Sequence, residues 1–320
     1  MVGKVTPNNQ LSASEIPVLM GCSRFKTPSE LLKDKMDFIS GIEAPFISNE
    51  AMTFGTLAEP MILQESALRL GYDNAKILHP EAYHHKSLPF ACSLDGTVEG
   101  SGEELLTNVQ HGIYCVNSDS IKMEGLGILE AKLTAHEPEN PSEIPLYRGV
   151  LQLQMQMDTT GAKWGAICIL YKGTQLRLFI YNRDEELIAE MHKAILDFQR
   201  RLDKWKSDGE IEWYPSQNPA EASRIFNHPE KETVSLDYFE DSAETIWQLR
   251  NEIKEKEALI SKTELEIMEH MHDFEYAVAG KFKIDWKMLD YKPTAERVVP
   301  AKPARSIRQS KLKIRYVEVA

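Results

Sequence analysis

The first 206 residues predict an α/β domain, and three observations lead there. Short strand-like runs fill residues 75–135, broken by Gly, Pro and Asn-Ser clusters. Two longer strand-like runs follow in "KWGAICILYKGTQLRLFIYN" at 163–182, with a turn at Lys172-Gly173-Thr174. Helical patterns lie on either side of these runs, the clearest at 184–206, where Leu187, Met191, Ile195, Phe198, Leu202 and Trp205 make one apolar stripe.

Taken in order, residues 11–40 read as helical, and "TPSELL" at 27–32 supplies a threonine cap, a proline at the first helical position and a glutamate at the third, as in a capping box. A second helix is expected through "FGTLAEPMILQESALRLG", stopped by Gly71, with Leu57, Met61, Ile62, Glu65 and Leu68 near helical spacing. Glu59 precedes Pro60 and is expected in or beside the first turn. The strands are "AKIL", "PFACSLDGTVE", "GIYCVN" and "GILEAKL"; in "ACSLDG" an apolar strand is expected to end with Asp95. Residues 146–160 read as a helix ending at Gly161.

The chain divides into a main domain at 1–214, a linker and long helical segment at 215–280, and a basic tail at 281–320. In the helical segment Ile246, Leu249, Ile253, Ile260, Ile267 and Phe274 follow a rough seven-residue spacing, but Lys256, Thr263 and His270 fall on alternate core positions. The helix therefore either packs on its own chain or forms an intermolecular coiled coil. The last 25 residues hold seven Arg or Lys against two Glu, a local charge of +5 in a chain of net charge -12.

With 42% hydrophobic and 27% charged residues, 320 residues suffice to bury a sizeable core. The longest apolar run, "WGAICILY", is far shorter than the ~20 residues of a membrane-spanning helix. Cys22, Cys92, Cys115 and Cys168 are scattered without a CxxC pair, which disfavours a disulfide framework and a zinc ribbon and suits a reducing cytoplasm. His79, His84, His85 and His111 crowd the strand region without HxxxH or HExxH spacing, so they read as surface or packing residues. Asp119, in "NSDS", reads as a turn, and Trp164, Tyr171, Tyr181, Met155 and Met157 as core.

The chemistry centres on "GILEAKLTAHE" at 127–137. In an extended strand Glu130 and Lys132 project from one side, with Leu129, Ala131 and Leu133 on the other. Alone, such a triplet is an ordinary ion pair. The order Glu59, Asp95-Gly96, Glu130-x-Lys132 and helical Gln152 is what metal-dependent phosphodiester hydrolysis needs. Asp95 and Glu130 are hard donors able to share a Mg²⁺ ion with a strand carbonyl, that of Ala131, and waters; Glu59 would complete a second ion position. Lys132 would orient the water nucleophile or stabilise developing charge, and Gln152 would steady Lys132 or the scissile phosphate.

The sequence resembles the YqaJ-type viral recombinases, the group that contains lambda exonuclease, within the PD-(D/E)xK nuclease superfamily. The resemblance runs through "SASEIPVLMGCSRFKTPSELL", "FGTLAEP", "FACSLDG", "LEAK" and "LYRGVLQLQMQM" and covers roughly the first two thirds of the chain. It implies a mixed central sheet flanked by helices, with Asp95 and Glu130 as ligands of Mg²⁺ (Mn²⁺ substituting, two ions), Lys132 as the catalytic lysine, Glu59 as the helical acid and Gln152 as the glutamine of a QxQ motif. Ser14 matches a serine near the 5′-phosphate of the DNA end. No arginine precedes it, so Arg24 or Lys26 would take that arginine's place. The resemblance further implies a phage or prophage 5′-to-3′ exonuclease acting on double-stranded DNA ends in the host cytoplasm, a ring-shaped homo-oligomer such as a trimer, and a single-strand annealing partner. A basic inner channel would reconcile the acidic net charge with DNA. The iron-sulfur cluster of some relatives is not expected, since no cysteines cluster near the C-terminus. Two other readings stay open, a structure-selective or nicking endonuclease and a non-catalytic DNA-end or recombinase-binding protein.

Overall fold

The structure, a computed structural model, describes residues 6, 8–42, 49–73, 75–77, 81–226 and 232–288. The chain forms two compact units, Met1–Glu221 and Ala222–Ala320. In the first, strands β1 (Leu11–Ser12), β3 (Tyr83–His84) and β4 (Phe90–Cys92) make a small sheet. The main sheet has six strands, β2 (Lys76–Ile77), β5 (Gly96–Leu106), β6 (Ile113–Cys115), β7 (Ser120–Thr134), β8 (Trp164–Tyr171) and β9 (Gln175–Asn182), in the order β2-β5-β7-β8-β9-β6. It is mixed: β7 runs parallel to β8 and β6 to β9, while β5–β7 and β8–β9 are antiparallel.

Alternation along the strands divides the core into two layers. Ile128, Ile167, Ile169 and Phe179 face helices α1 (Ile16–Leu19), α2 (Pro28–Ile39), α4 (Val150–Thr160) and α5 (Glu185–Asp208). Leu129, Ala166, Cys168 and Leu178 face α3 (Glu50–Arg69) through Ile62, Leu63 and Ala67. This is the α/β architecture expected, a mixed sheet flanked by helices. The β8–β9 pair and its turn, the helix ending at Gly161 and the α5 stripe are also as expected. Trp164, Tyr171, Tyr181, Met155 and Met157 are buried in the core.

Several boundaries differ from the expectation. Residues 11–40 are not one helix. Ser12 opens a 3₁₀ turn at Ala13–Glu15, α1 is one turn long, and Gly21 at φ +69° leads out of it. The expected capping box then starts α2, with the Thr27 hydroxyl accepting from Glu30 N at 3.3 Å and Glu30 Oε2 from Thr27 N at 2.9 Å. Helix α3 begins earlier than expected, because Asn49 Oδ1 caps it by accepting from Met52 N at 2.9 Å. Glu59 and Pro60 consequently lie mid-helix rather than in the first turn. The face buried by α3 is Ile62, Leu63, Ser66 and Ala67, whereas Leu57, Met61 and Leu68 are exposed. The strand before Asp95 stops at Cys92, and Asp95 instead immediately precedes the long β5. Residues 146–148 form a 3₁₀ turn, and the helix proper starts at Val150.

A short helix α6 spans Pro219–Ile225, and in the second unit α7 spans Glu240–Met271. The helix ends there, not at 279, because His272 leaves the helical region at φ 47°; Tyr276–Ala279 and Phe282–Asp285 pair as a hairpin, β10 and β11. Ile253 and Ile260 of the seven-residue series are more than half exposed. The strongly basic last 25 residues lie outside the described residues, and among those described no helix is long and apolar enough to cross a membrane.

Candidate active site

The site is built on β7, β5 and α4. Glu130 and Lys132 share the face of β7 that looks at α4, while Leu129 packs towards α3. The Glu130 carboxylate is 1% exposed and its Oε1 is in short contact with the Lys132 ammonium. Lys132 Nζ also donates to Gln152 Oε1 at 3.2 Å, the partner named for it from sequence. Asp95 lies beside them at the mouth of β5, where its Oδ2 accepts from the backbone N–H of Ala131 at 2.9 Å. β5 pairs with β7 in register Gly96 to Leu129, which sets the two acid-bearing segments side by side.

Gly149 makes the backbone turn that leads into α4. It sits at φ +111°, a conformation that glycine adopts at no steric cost, and a Cβ there would lie 3.4 Å from Lys132 Cε. The electrostatics follow from the closeness of these charged groups to one another. Burial and the neighbouring Glu130 charge push the Asp95 carboxyl well above the usual range, against the opposing pull of Lys132 and the Ala131 N–H. Glu59 is likewise raised, first by burial and then by Glu130. Burial disfavours the Lys132 ammonium, but the charges of Glu130 and Asp95 outweigh it and hold its pKa above the ordinary value.

Asp95, Glu130, Lys132 and Gln152 are thus brought together, with Glu59 within electrostatic reach. Like-charge crowding of hard oxygen donors around a single ammonium is what a divalent cation relieves, so the donor set fits Mg²⁺ or Mn²⁺. The residues chosen for a DNA end are dispersed in their contacts. Ser14 is exposed with its hydroxyl 3.2 Å from that of Ser12, and Lys26 is engaged by Asp34. Arg24 lies over the Tyr147 ring at 5.1 Å, and Arg148 over the same ring at 5.5 Å.

Two features were not read from sequence. Gln156 is fully buried and donates to Glu130 Oε2 at 2.7 Å and to the Ser93 carbonyl at 2.9 Å. The signal was present, since Gln152 and Gln156 are four apart and share a helix face. Gln154 points elsewhere, donating to the Asn182 carbonyl and accepting from Asp184 N, both at 2.9 Å. The second feature is His85, Asp158 and His192, whose ligand atoms lie within 4.8 Å of one another, a trio of potential metal ligands among the described residues. Both Nε2 atoms address Asp158 Oδ2, at 3.0 and 2.6 Å, and Arg183 holds Oδ1 at 2.6 Å. His85 Nδ1 accepts from Ser87 N and Leu88 N, which leaves the proton of a neutral ring on Nε2. The trio is therefore satisfied as a hydrogen-bonded clamp.

Residues 7–163 match the family model described as YqaJ-like viral recombinase domain, the family to which the sequence motifs had pointed. Among curated proteins it is 23% identical over 289 residues to the protein titled "Uncharacterized protein YqaJ" of Bacillus subtilis (strain 168), covering 87% of this chain and 80% of that protein. Among solved structures it is similar to an alkaline exonuclease, LHK-Exo, of Laribacter hongkongensis, at 19% identity and TM-score 0.41, covering 61% of this chain and 89% of that one. It is also similar to a phage related exonuclease of Haemophilus somnus 129PT, at 13% identity and TM-score 0.46, covering 63% and 99%.

Proposed function

We propose that the protein is a Mg²⁺-dependent deoxyribonuclease, a 5′-to-3′ exonuclease on duplex DNA ends that leaves a 3′ single strand for recombination. One observation carries the reading: Asp95, Glu130, Lys132 and Gln152, spread over 58 positions of chain, meet where β5, β7 and α4 come together. Asp95, Glu130 and the Ala131 carbonyl would hold one cation, and Glu59 would contribute to a second. The cation supplies Lewis acidity towards the phosphate and lowers the pKa of water.

The chain's own groups do the rest. Lys132, cationic at neutral pH and anchored between Glu130 and Gln152, orients the water nucleophile and offsets the charge that builds on the phosphate oxygens. Gln152 fixes the direction of the ammonium. The β7 strand holds Glu130 and Lys132 on one rigid face, so little reorganisation accompanies the reaction. Arg24 and Arg148, both over the Tyr147 ring, are the groups suited to a backbone phosphate.

End-labelled linear duplex, carrying either a 5′-phosphate or a 5′-hydroxyl, tests this when incubated with Mg²⁺ beside covalently closed circular DNA. Progressive loss of the 5′ strand with the circle intact is the expected result. Cleavage of the circle instead identifies an endonuclease, and no cleavage of either overturns the nuclease reading.

A further inference from the structure

Gln156 carries an unusual hydrogen-bond balance. Both of its N–H groups are committed, one to Glu130 Oε2 and one to the Ser93 carbonyl, so the amide can adopt one orientation; reversed, its oxygen would face two other oxygens. In that orientation its own Oε1 is buried without a partner among the described residues. A buried orphan acceptor is destabilising, and a methionine or leucine at this position of α4 would avoid it. The amide is explained by what its N–H groups do. Ser93 is two residues before Asp95, so one side chain ties the segment bearing the first acid to the carboxylate of the second.

We propose that Gln156 is a positioning residue that presets the Glu130 carboxylate for a divalent cation, fixing Oε2 so that Oε1, the oxygen beside Lys132, is the one offered to the ion. This rests on the reading of Glu130 as a cation ligand given above. A neutral donor suits the task, because an arginine or lysine there would cancel the charge that attracts the ion, whereas an amide orients the carboxylate and leaves that charge in place. Ligating carboxylates held by such outer partners typically lose about 10- to 100-fold in affinity or activity when the partner is removed.

The test uses the full chain as wild type, Gln156→Met, Glu130→Gln and the double variant. MnCl₂ is titrated calorimetrically into DNA-free protein, melting is followed in EDTA, and the Mg²⁺ concentration for half-maximal DNA cleavage is measured. Gln156→Met is expected to weaken Mn²⁺ binding by about 10- to 100-fold. It should raise the half-saturating Mg²⁺ concentration similarly and reduce kcat at saturating Mg²⁺ far less. The double variant should bind Mn²⁺ no worse than Glu130→Gln alone, because both changes act through one carboxylate. Should Gln156→Met not fold, Gln156→Asn, which keeps an amide too short to reach Glu130, carries the same expectation. An unchanged Mn²⁺ affinity in the Gln156 variant, with only the EDTA melting temperature lowered, makes the residue structural and overturns the proposal. Glu130→Gln binding Mn²⁺ like wild type removes instead the reading beneath it, and this inference with it.

Discussion

The Asp95 carboxylate accepts a 2.9 Å hydrogen bond from the backbone N–H of Ala131, the residue between Glu130 and Lys132. That bond fixes a half-buried acid from the mouth of β5 against the strand carrying the other charged groups, and it makes their charges interdependent.

Asp95→Asn tests this interdependence. The asparagine oxygen can still accept from Ala131, while the charge next to Glu130 disappears. Since the folded pKa of Asp95 is raised, ionised Asp95 weakens the native state, and wild-type stability grows as pH falls from that raised value towards the ordinary carboxylate value near 4. In EDTA at neutral pH the variant should melt higher than wild type, by about 2–4 °C per kcal/mol of relieved repulsion in a unit of this size. The stabilisation by Mg²⁺ seen in wild type should be lost. Thermal melts with and without Mg²⁺ check both.

Asp158 has the opposite sign. Burial pushes its carboxyl up, but the His192 hydrogen bond and the His192, Arg183 and His85 charges outweigh this and leave it below the usual value. Its contribution is present above the unfolded value near 4 and is lost as pH falls through the lower folded one. Asp158→Asn should cost about 1–3 kcal/mol at pH 7. The difference should shrink below pH 4 in urea titrations.

Gly149→Ala strains the backbone at the entry to α4. A non-glycine residue at φ +111° costs on the order of 1–3 kcal/mol. The melting temperature should fall accordingly while kcat on duplex DNA changes little, because a Cβ at this position makes only ordinary van der Waals contact with Lys132. An unchanged melting temperature would contradict a backbone at this position that only glycine adopts without strain.

Much of this was legible before the structure, and for identifiable reasons. The α5 stripe and the β8–β9 pair announce themselves through periodicity over long segments, and Asp95, Glu130, Lys132 and Gln152 carry side chains whose chemistry stands out at their spacing. The start of α3 was missed because its Asn49 cap precedes a stretch with a Pro inside the helix, and proline reads as a beginning. The outer arms of β5 and β7 were missed because glycines at 100, 102 and 125 and exposed charges break the alternation that marks a strand, with a register shift at Ser101/Glu103. His85, Asp158 and His192 are brought together only by tertiary packing, from the loop after β3 and from α4 and α5, so no local spacing signals them.

The most direct measurement compares wild type with Lys132→Ala, both verified as folded by circular dichroism, on 5′-labelled linear duplex in saturating Mg²⁺. Loss of a preorganised charge at the reacting phosphate should slow cleavage by about 10²–10³-fold. Equal rates in the two proteins would contradict the assignment of this cluster as the catalytic centre.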